Sequence, residues 1–265
     1  FALTVLSSSM QMLPAERAAQ LAAFALMMKA RSDDRSLFRA DPPVKLNVMS
    51  IKESNGLDIE QIAETLTREQ IEVVDGTSKA EEKTLAVSDT KPLQKNLVVT
   101  SKSEIDKATL ITFLEFFKDA KTFGSLLRIP ERFAVLLPTL QKLIDPTKGR
   151  DLAGHTATEE LRPFVVQTEI LAGQYDNVVA NPPYMGNKGM NPLLKEFAAK
   201  NFSDSKSDLF AVFIERGLNA TVSKTGLMGM ITMHSWMFLS SFAQLREKLL
   251  SQNTICNMTH LGSRA

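Results

Sequence analysis

The chain has 265 residues, of which 44% are hydrophobic and 23% are charged, and its formal net charge is +1. This composition is typical of a soluble globular protein and excludes a strongly basic chain, so any nucleic-acid site must be a local surface. A single cysteine, Cys256, excludes an internal disulfide framework, and no run approaches the roughly 20 apolar residues of a membrane span. We therefore expect a cytoplasmic protein without membrane contact. Because the chain starts at Phe1 rather than at methionine, we also expect a piece of a longer protein.

Segment 1–56 is predicted to form the N-terminal part of an α/β sheet. Short apolar runs predict strands over 1–6 and 44–51, and Pro14 opens a helix that continues to about Arg31. Four residues of this helix recur at helical spacing, which predicts one buried face: Leu21, Phe24, Ala25 and Met28.

Glu53 comes directly after the second predicted strand. Open α/β sheets bind ligands outside the carboxyl ends of their strands, so an acid at this place is a candidate ligand-binding residue. A solvated charge in the loop before the next helix is the alternative. The residues alone leave both interpretations open.

Segment 57–173 differs from the segments on either side in its apolar spacing, and it is predicted to be a helical insertion. Its apolar spacing predicts four helices, with a polar loop-like stretch over 75–96: 58–71, 102–121, 130 to about 145, and 158–171. Connections between neighbouring strands usually take about 2–6 residues, so this segment is far longer than a simple crossover. It could cap a site, bind a partner or fix the placement of a domain, and the sequence favours none of these.

Segment 174–265 alternates strands with helices. We predict a buried strand over 175–180, a hydrophobic strand over 227–232 that continues into 234–238, and a last strand over 254–261. Helices lie between them, the longest covering 208–222 with Ser207 as its N-cap. Strand and helix in alternation predict a mostly parallel, doubly wound α/β sheet. The Gly-, Asn- and Pro-rich stretch 185–192 is either a mobile loop or a fixed turn.

The tetrapeptide Asn181-Pro182-Pro183-Tyr184 follows the first of these strands. Two prolines make a stiff turn, because each fixes φ near −65° and lacks an N–H. The Asn181 amide oxygen and the Pro182 carbonyl can then act as two fixed acceptors beside the Tyr184 ring. This arrangement suits a planar group that carries an NH₂, such as the edge of adenine. A rigid turn that merely ends a strand is the alternative.

Adenine N6 is a poor nucleophile because its lone pair is delocalised into the ring. Two acceptors that take both N–H groups hold the nitrogen closer to sp³ geometry, so its lone pair can face an electrophilic methyl group. Tyr184 would stack on the base, as aromatic faces hold flipped bases. A glutamine amide presents the same NH₂, and RNA carries the same base, so these substrates stay open.

Other chemistries have little support in the sequence. The three histidines, His155, His234 and His260, are dispersed and lack metal-ligand spacing, so we predict no metal site. No phosphate-binding loop, nucleophile elbow or kinase signature is present.

Several runs of the chain resemble one known family. The stretch 175–184 resembles the fourth motif of methyltransferases that modify adenine N6. The wider runs are closely similar to the PglX family of adenine-specific DNA methyltransferases of BREX phage-defence systems: Asn181 to Met190, Ser205 to Phe210, Ser235 to Leu239, Glu16 to Leu26 and Phe117 to Gly124. The resemblance thus covers most of the chain after residue 14.

This resemblance implies a Rossmann-like class I methyltransferase sheet, S-adenosylmethionine as methyl donor, and a flipped adenine in double-stranded DNA as substrate. It assigns Asn181 and Pro182 to the amino group, Pro183 to the turn and Tyr184 to the base. It also places Phe213 against the adenine of the cofactor and Glu53 near a strand-end acid of the cofactor site. Other phage-defence proteins are implied as partners.

A second interpretation remains beside the enzymatic one. The resemblance places the glycine-rich cofactor loop ahead of Phe1, and residues 7–12, where an acid for the cofactor ribose is expected, contain no carboxylate. A non-catalytic binding or assembly module derived from a methyltransferase is therefore the alternative.

Overall fold

The computed structural model describes residues 15–36, 39, 41, 47–78, 105–146, 150–222 and 224–262. They form two compact units: the first comprises 1–51, 120–128 and 170–265, and the second 52–119 and 129–169, as far as these are described. The second unit overlaps the predicted insertion 57–173, but residues 120–128 belong to the first unit. The functional limits of the domains stay a prediction.

Nine α-helices and two β-strands are formed by the described residues. The helices are α1 (Ala15–Asp33), α2 (Ile59–Ser78), α3 (Lys107–Glu115), α4 (Ala120–Phe123), α5 (Glu131–Leu143), α6 (Leu152–Ala172), α7 (Pro192–Asn201), α8 (Leu209–Ala220) and α9 (Ala243–Gln252). The strands are β1 (Asn177–Ala180) and β2 (Leu227–Met230). None of the described helices is long and apolar enough to cross a membrane.

The second unit is built around buried phenylalanines. The Phe113 ring meets those of Phe117 and Phe133 edge-on, each at 5.5 Å between centroids. The helix predicted over 102–121 is interrupted, because α3 ends at Glu115 and the chain turns before α4. The turn lets Phe117 enter the aromatic core while its carbonyl accepts the Ser54 N–H at 3.2 Å. The packing of Phe117 in the aromatic core thus outweighs the helix propensity of the residues between α3 and α4.

Helix α6 begins earlier than the predicted residue 158. The Asp151 carboxylate accepts the Gly154 N–H at 2.7 Å, which satisfies one of the free amide groups of the first turn. The helix continues through Pro163 to Ala172.

Three predictions about the first unit are wrong. The apolar face of α1 is exposed at Leu21, Phe24 and Met28, because helical spacing places residues on one face without determining what covers it. The strand predicted over 254–261 is an exposed segment without regular structure. Residues 47–51 of the strand predicted over 44–51 form no regular strand, whereas 44–46 and the predicted strand 1–6 lie outside the described residues.

Strands β1 and β2 form a parallel pair, with α8 on one face. Their side chains alternate between exposed and half-buried positions. Val178 and Met228 lie on the half-buried face, whereas Val179 is 79% exposed. The prediction of a fully buried first strand is therefore wrong, because only one face of this pair packs on a described helix. The chain is an α/β protein in its described part.

Helix α8 is the central element of the first unit. Nine of its residues are buried, and it packs on both strands and on the 3₁₀ turn Gly124–Leu126. Its approach to β2 is close at Gly217, where an added Cβ would lie 2.7 Å from the Met228 sulfur. On one side it joins a cluster with Phe242, Leu245 and Leu249. This helix therefore connects the sheet, α7 and α9.

Candidate functional site

The candidate site begins where the parallel strands end. Asn177 pairs with Leu227 and Ala180 with Met230, and the Ile231 N–H donates to the Ala180 carbonyl at 3.2 Å. This bond lies directly before Asn181, so the segments that follow both strands leave the sheet at one edge. That edge is where open parallel sheets bind ligands.

The structure places two hydrogen-bond acceptors at this edge. Asn181 is exposed, and Pro182, which has no N–H, is buried. Within the described part of the chain, neither the Asn181 carboxamide nor the Pro182 carbonyl takes part in a hydrogen bond. The described part of the chain therefore leaves both acceptors without a hydrogen-bond partner. Pro183 follows them in the turn and is half-buried.

Tyr184 presents an aromatic surface next to these acceptors. Its side chain is 50% exposed. Its ring lies 6.4 Å from the buried Phe210 ring at an interplanar angle of 71°. Such an edge-on contact is a favourable geometry for two aromatic rings. The Tyr184 ring is thus supported on one side and open to a ligand over half of its surface.

The loop after the motif is bonded to the start of α8. The Met185 N–H donates to Asp208 Oδ1 at 3.2 Å, and the Met185 carbonyl accepts the Leu209 N–H at 2.9 Å. The Asn187 N–H donates to the Ser207 carbonyl at 3.0 Å. Of the two interpretations of this stretch, the structure supports the fixed turn. Asp208, not the predicted Ser207, is the N-cap of α8, and its carboxylate also accepts the Phe210 N–H.

Phe213 lies one turn further along α8. Its ring is 8% exposed and belongs to an apolar cluster that includes Met185 and Met230 among its half-buried members. The buried members are Leu126, Met190, Leu194, Ala198, Phe202, Leu209, Val212 and Phe213. The residue that follows Tyr184 and the predicted cofactor aromatic therefore share one cluster.

Glu53 lies in the second unit and is half-buried. Its neighbours on both sides are held firmly. The Lys52 backbone exchanges two hydrogen bonds with the Gln167 side chain, at 2.8 and 3.2 Å. The Ser54 hydroxyl donates to the Leu114 carbonyl at 2.6 Å. The described contacts of Asn181 to Tyr184 lie in the first unit, so the cofactor role of Glu53 stays a prediction.

A charged network supports the segment before α8. The Ser205 hydroxyl donates to Glu215 at 2.9 Å, and Glu215 also pairs with Arg128 at 3.4 Å. Lys248 of α9 pairs with Asp204, and its hydrogen bond lowers the pKa of the Asp204 carboxyl. These contacts connect the segment before α8 to α8 itself, to Arg128 and to α9.

No metal-binding group of three or more suitable side chains occurs among the residues that the structure describes. The exposed rings of His234 and His260 lie 5.3 Å apart, edge to face. His234 begins the 3₁₀ turn His234–Met237 rather than extending β2.

Two residues of the site were not predicted as functional. Asp208 was identifiable in part, because an Asp directly before an apolar helix is a preferred N-cap. Its bond to Met185 joins residues 23 positions apart, and no local pattern reveals it. Phe210 ends the run Ser205 to Phe210 that resembles the PglX family, but nothing in the sequence indicates its contact with Tyr184.

Comparison with known proteins identifies the family of this chain. The model of the Eco57I restriction-modification methylase family matches residues 12–265. The chain belongs to the Eco57I restriction-modification methylase family. This membership fits an α/β methyltransferase fold with the motif at a strand end.

Two curated relatives are similar to this member of the Eco57I family. "Adenine-specific methyltransferase BrxX" of Escherichia coli O9:H4 (strain HS) is 40% identical over 251 residues, which are 94% of this chain and 20% of the relative. "Adenine-specific methyltransferase PglX" of Lacticaseibacillus casei (strain Zhang) is 40% identical over 172 residues, which are 62% of this chain and 14% of the relative. The chain spans at most a fifth of the length of these relatives.

Proposed function

We propose that the protein carrying this chain transfers a methyl group from S-adenosylmethionine to N6 of adenine in double-stranded DNA. The observation that carries the proposal is the pair of acceptors without a hydrogen-bond partner among the described residues, Asn181 and Pro182, directly before the half-exposed Tyr184. Membership in a methylase family and the names of both relatives support the same chemistry. From the resemblance of its sequence to the PglX family, we further propose that the protein acts in the cytoplasm as part of a phage-defence system with partner proteins.

In this mechanism the target adenine leaves the duplex and stacks on Tyr184. One N6 hydrogen is accepted by Asn181 Oδ1 and the other by the Pro182 carbonyl, while Pro183 keeps the turn rigid. The two bonds draw the nitrogen toward sp³ geometry, so its lone pair faces the methyl group. S-adenosylmethionine, when bound, would supply the methyl group of the new C–N bond and would leave as the neutral thioether, and the methylated amino group would lose its extra proton to water. The chain contributes orientation and preorganised acceptors.

The donor S-adenosylmethionine supplies an electrophilic methyl group on a sulfonium. Phe213 is assigned to a wall of its adenine pocket, because an aromatic ring in an apolar cluster suits a planar purine. Glu53 offers a carboxylate that accepts hydrogen bonds from hydroxyl or amino groups, and its assignment rests on the family resemblance. A doubly wound, Rossmann-like sheet, of which β1 and β2 are one parallel pair, belongs to the same proposal.

Replacing Asn181 tests this function in the longer protein that carries the chain. Asn181→Ala removes one acceptor, and we expect N6-methyladenine formation to fall about 10²- to 10³-fold, as for the loss of one preorganised polar group. Asn177→Ala, an exposed asparagine in β1, is the matched control and should leave activity unchanged. Mass spectrometry of digested DNA, taken from a host without adenine methylation, measures the product. Undiminished methylation by Asn181→Ala contradicts the proposal.

The same assay separates the alternative substrates and the non-catalytic interpretation. RNA and a glutamine-containing peptide are offered beside the DNA, because both present an NH₂ to the same acceptors. Product on RNA or peptide alone would replace the DNA proposal. No product on any substrate, with intact folding and cofactor binding, would favour a binding or assembly module.

A further inference from the structure

Three consecutive residues at the start of α8 contact either Tyr184, the last residue of the Asn181–Tyr184 motif, or Met185, which follows it. Asp208 Oδ1 accepts the Met185 N–H at 3.2 Å, and the Leu209 N–H donates to the Met185 carbonyl at 2.9 Å. The Phe210 ring supports Tyr184 at 6.4 Å between centroids. The start of α8 thus contacts both the Met185 backbone and the Tyr184 ring, which belong to the segment proposed to hold the base.

The Asp208 carboxylate accepts two of the hydrogen bonds at the start of α8. Its Oδ1 accepts the Phe210 N–H at 3.3 Å, which makes it the N-cap of α8, and it accepts the Met185 N–H from the loop. A carboxylate is favoured at a helix N-terminus, and its bonds to N–H groups are stronger than those of a neutral acceptor. One side chain therefore fixes where α8 starts and where the motif ends.

This link matters because α8 also carries Phe213, which is buried in the same cluster as Met185. If Phe213 contacts the cofactor and Tyr184 the base, the distance between methyl group and nitrogen depends on how the loop is seated on α8. Small displacements of reacting groups are costly, since about 1 Å can reduce a rate about 10²-fold.

We propose that Asp208 is a positioning residue for methyl transfer, which holds the Asn181–Tyr184 motif in register with α8 through the Met185 amide. The proposal rests on the proposed function. Asp208 touches neither the base nor the cofactor in this account, and acts through Met185. Its removal should therefore lower the rate of transfer without weakening cofactor binding.

The chain offers variants that separate positioning from capping. Serine is as good an N-cap as aspartate but is shorter, so Asp208→Ser keeps the cap and loses the reach to Met185. Asp208→Asn keeps an oxygen of the same reach. Asn191 caps α7 by accepting the Leu194 N–H at 2.8 Å, and Asn191→Ala therefore removes a cap that bonds to neither Tyr184 nor Met185.

The kinetic test uses the longer protein, labelled S-adenosylmethionine and DNA lacking N6-methyladenine. We expect Asp208→Ser to lower kcat about 10- to 100-fold, with an unchanged KM for S-adenosylmethionine and an unchanged melting temperature. Asp208→Asn should restore most of kcat. Asn191→Ala should lower the melting temperature and keep kcat. A normal kcat in Asp208→Ser, or an equal loss of kcat in Asn191→Ala, overturns the proposal.

A second measurement is independent of DNA. Amide hydrogen exchange at Met185 should accelerate in Asp208→Ser and stay unchanged in Asn191→Ala, because only the former loses the acceptor of that N–H. Unchanged exchange would overturn the proposed link even if Asp208→Ser lowers kcat. A wild-type protein that methylates no DNA while Met185 exchange responds as expected would refute the proposed function alone.

Discussion

Phe210 lies edge-on beneath Tyr184, with 6.4 Å between ring centroids and an interplanar angle of 71°. Phe210 is fully buried, whereas half of the Tyr184 side chain is exposed. A second buried ring, that of Phe242, lies 5.6 Å from the Phe210 ring between centroids, and both residues belong to one buried cluster. The Tyr184 ring is therefore the outermost of a row of three aromatic rings, formed by Tyr184, Phe210 and Phe242.

This row predicts that Phe210→Leu changes the environment of Tyr184. Leucine is apolar but has no ring edge to offer, so Tyr184 loses a contact of about 0.5–1.5 kcal/mol. Fluorotyrosine labelling of the protein gives NMR signals in which those of the chain's two tyrosines are assigned with Tyr184→Phe and Tyr175→Phe. We expect the Tyr184 signal to shift and broaden, and the Tyr175 signal to stay in place.

Phe242→Leu is the matched control for this experiment. Phe242 is as buried as its neighbour but contacts Phe210 rather than Tyr184. It should lower stability by a similar amount and shift the Tyr184 signal less. Equal shifts in both variants would show that Phe210 has no particular role in holding the ring.

The sequence was sufficient for some parts of the site, and their physical reasons are local. Proline fixes its own φ, so Asn181 to Tyr184 could be placed at a strand end, and the structure has the motif directly after β1. The start of α8 was predicted to within one residue, because capping preferences act over a single turn.

The errors share a different cause. Exposure of Val179 and of the apolar face of α1 depends on what covers them, which spacing within an element does not determine. The break after Glu115 arises from packing of Phe117 in the second unit. The contact of Phe210 with Tyr184 and the bond of Asp208 to Met185 join residues more than 20 positions apart, and only the folded chain reveals them.

Arg216 of α8 is buried, and its replacement should destabilise the first unit. Its Nε donates to the Ser125 carbonyl and its Nη2 to the Leu171 carbonyl, each at 3.0 Å. Burial lowers the pKa of Arg216 to about 10, so the guanidinium stays charged at neutral pH. It thereby ties α8 to the 3₁₀ turn Gly124–Leu126 and to the end of α6.

We expect Arg216→Met to lower the free energy of unfolding by about 1–3 kcal/mol, because two carbonyls lose their donor. Arg246 is a suitable control, since its Nη1 also donates to two carbonyls, those of Trp236 and Leu239, but is more accessible to water. Arg246→Met should cost less than about 1 kcal/mol, because water can replace the donor. Urea unfolding measures both variants, and equal costs would contradict the role of burial.

The pair of Asp204 and Lys248 predicts how stability varies with pH. The hydrogen bond to Lys248 lowers the pKa of Asp204 below its usual 3.8, and the same bond raises the pKa of Lys248 above 10.5. A carboxyl with a lowered pKa in the folded state contributes its stability above pH 3.8 and loses it as the pH falls through the folded pKa. A lysine with a raised pKa contributes below pH 10.5 and loses that stability as the pH rises further.

A double-mutant cycle of Asp204→Asn and Lys248→Met measures this pair. Lys248 is about half exposed, so solvent screening limits the coupling free energy to about 0.5–1 kcal/mol at neutral pH. We expect it to be constant between these two limits, to shrink below pH 3.8 as Asp204 is protonated, and to shrink above pH 10.5 as Lys248 loses its proton. Urea unfolding at pH 3 and 7 tests the expected decrease of the coupling free energy below pH 3.8. Unfolding at pH 9 tests that this free energy stays constant between the two limits. A coupling free energy at pH 3 equal to that at pH 7 would show that the Asp204 charge contributes nothing to the contact between α9 and the segment before α8.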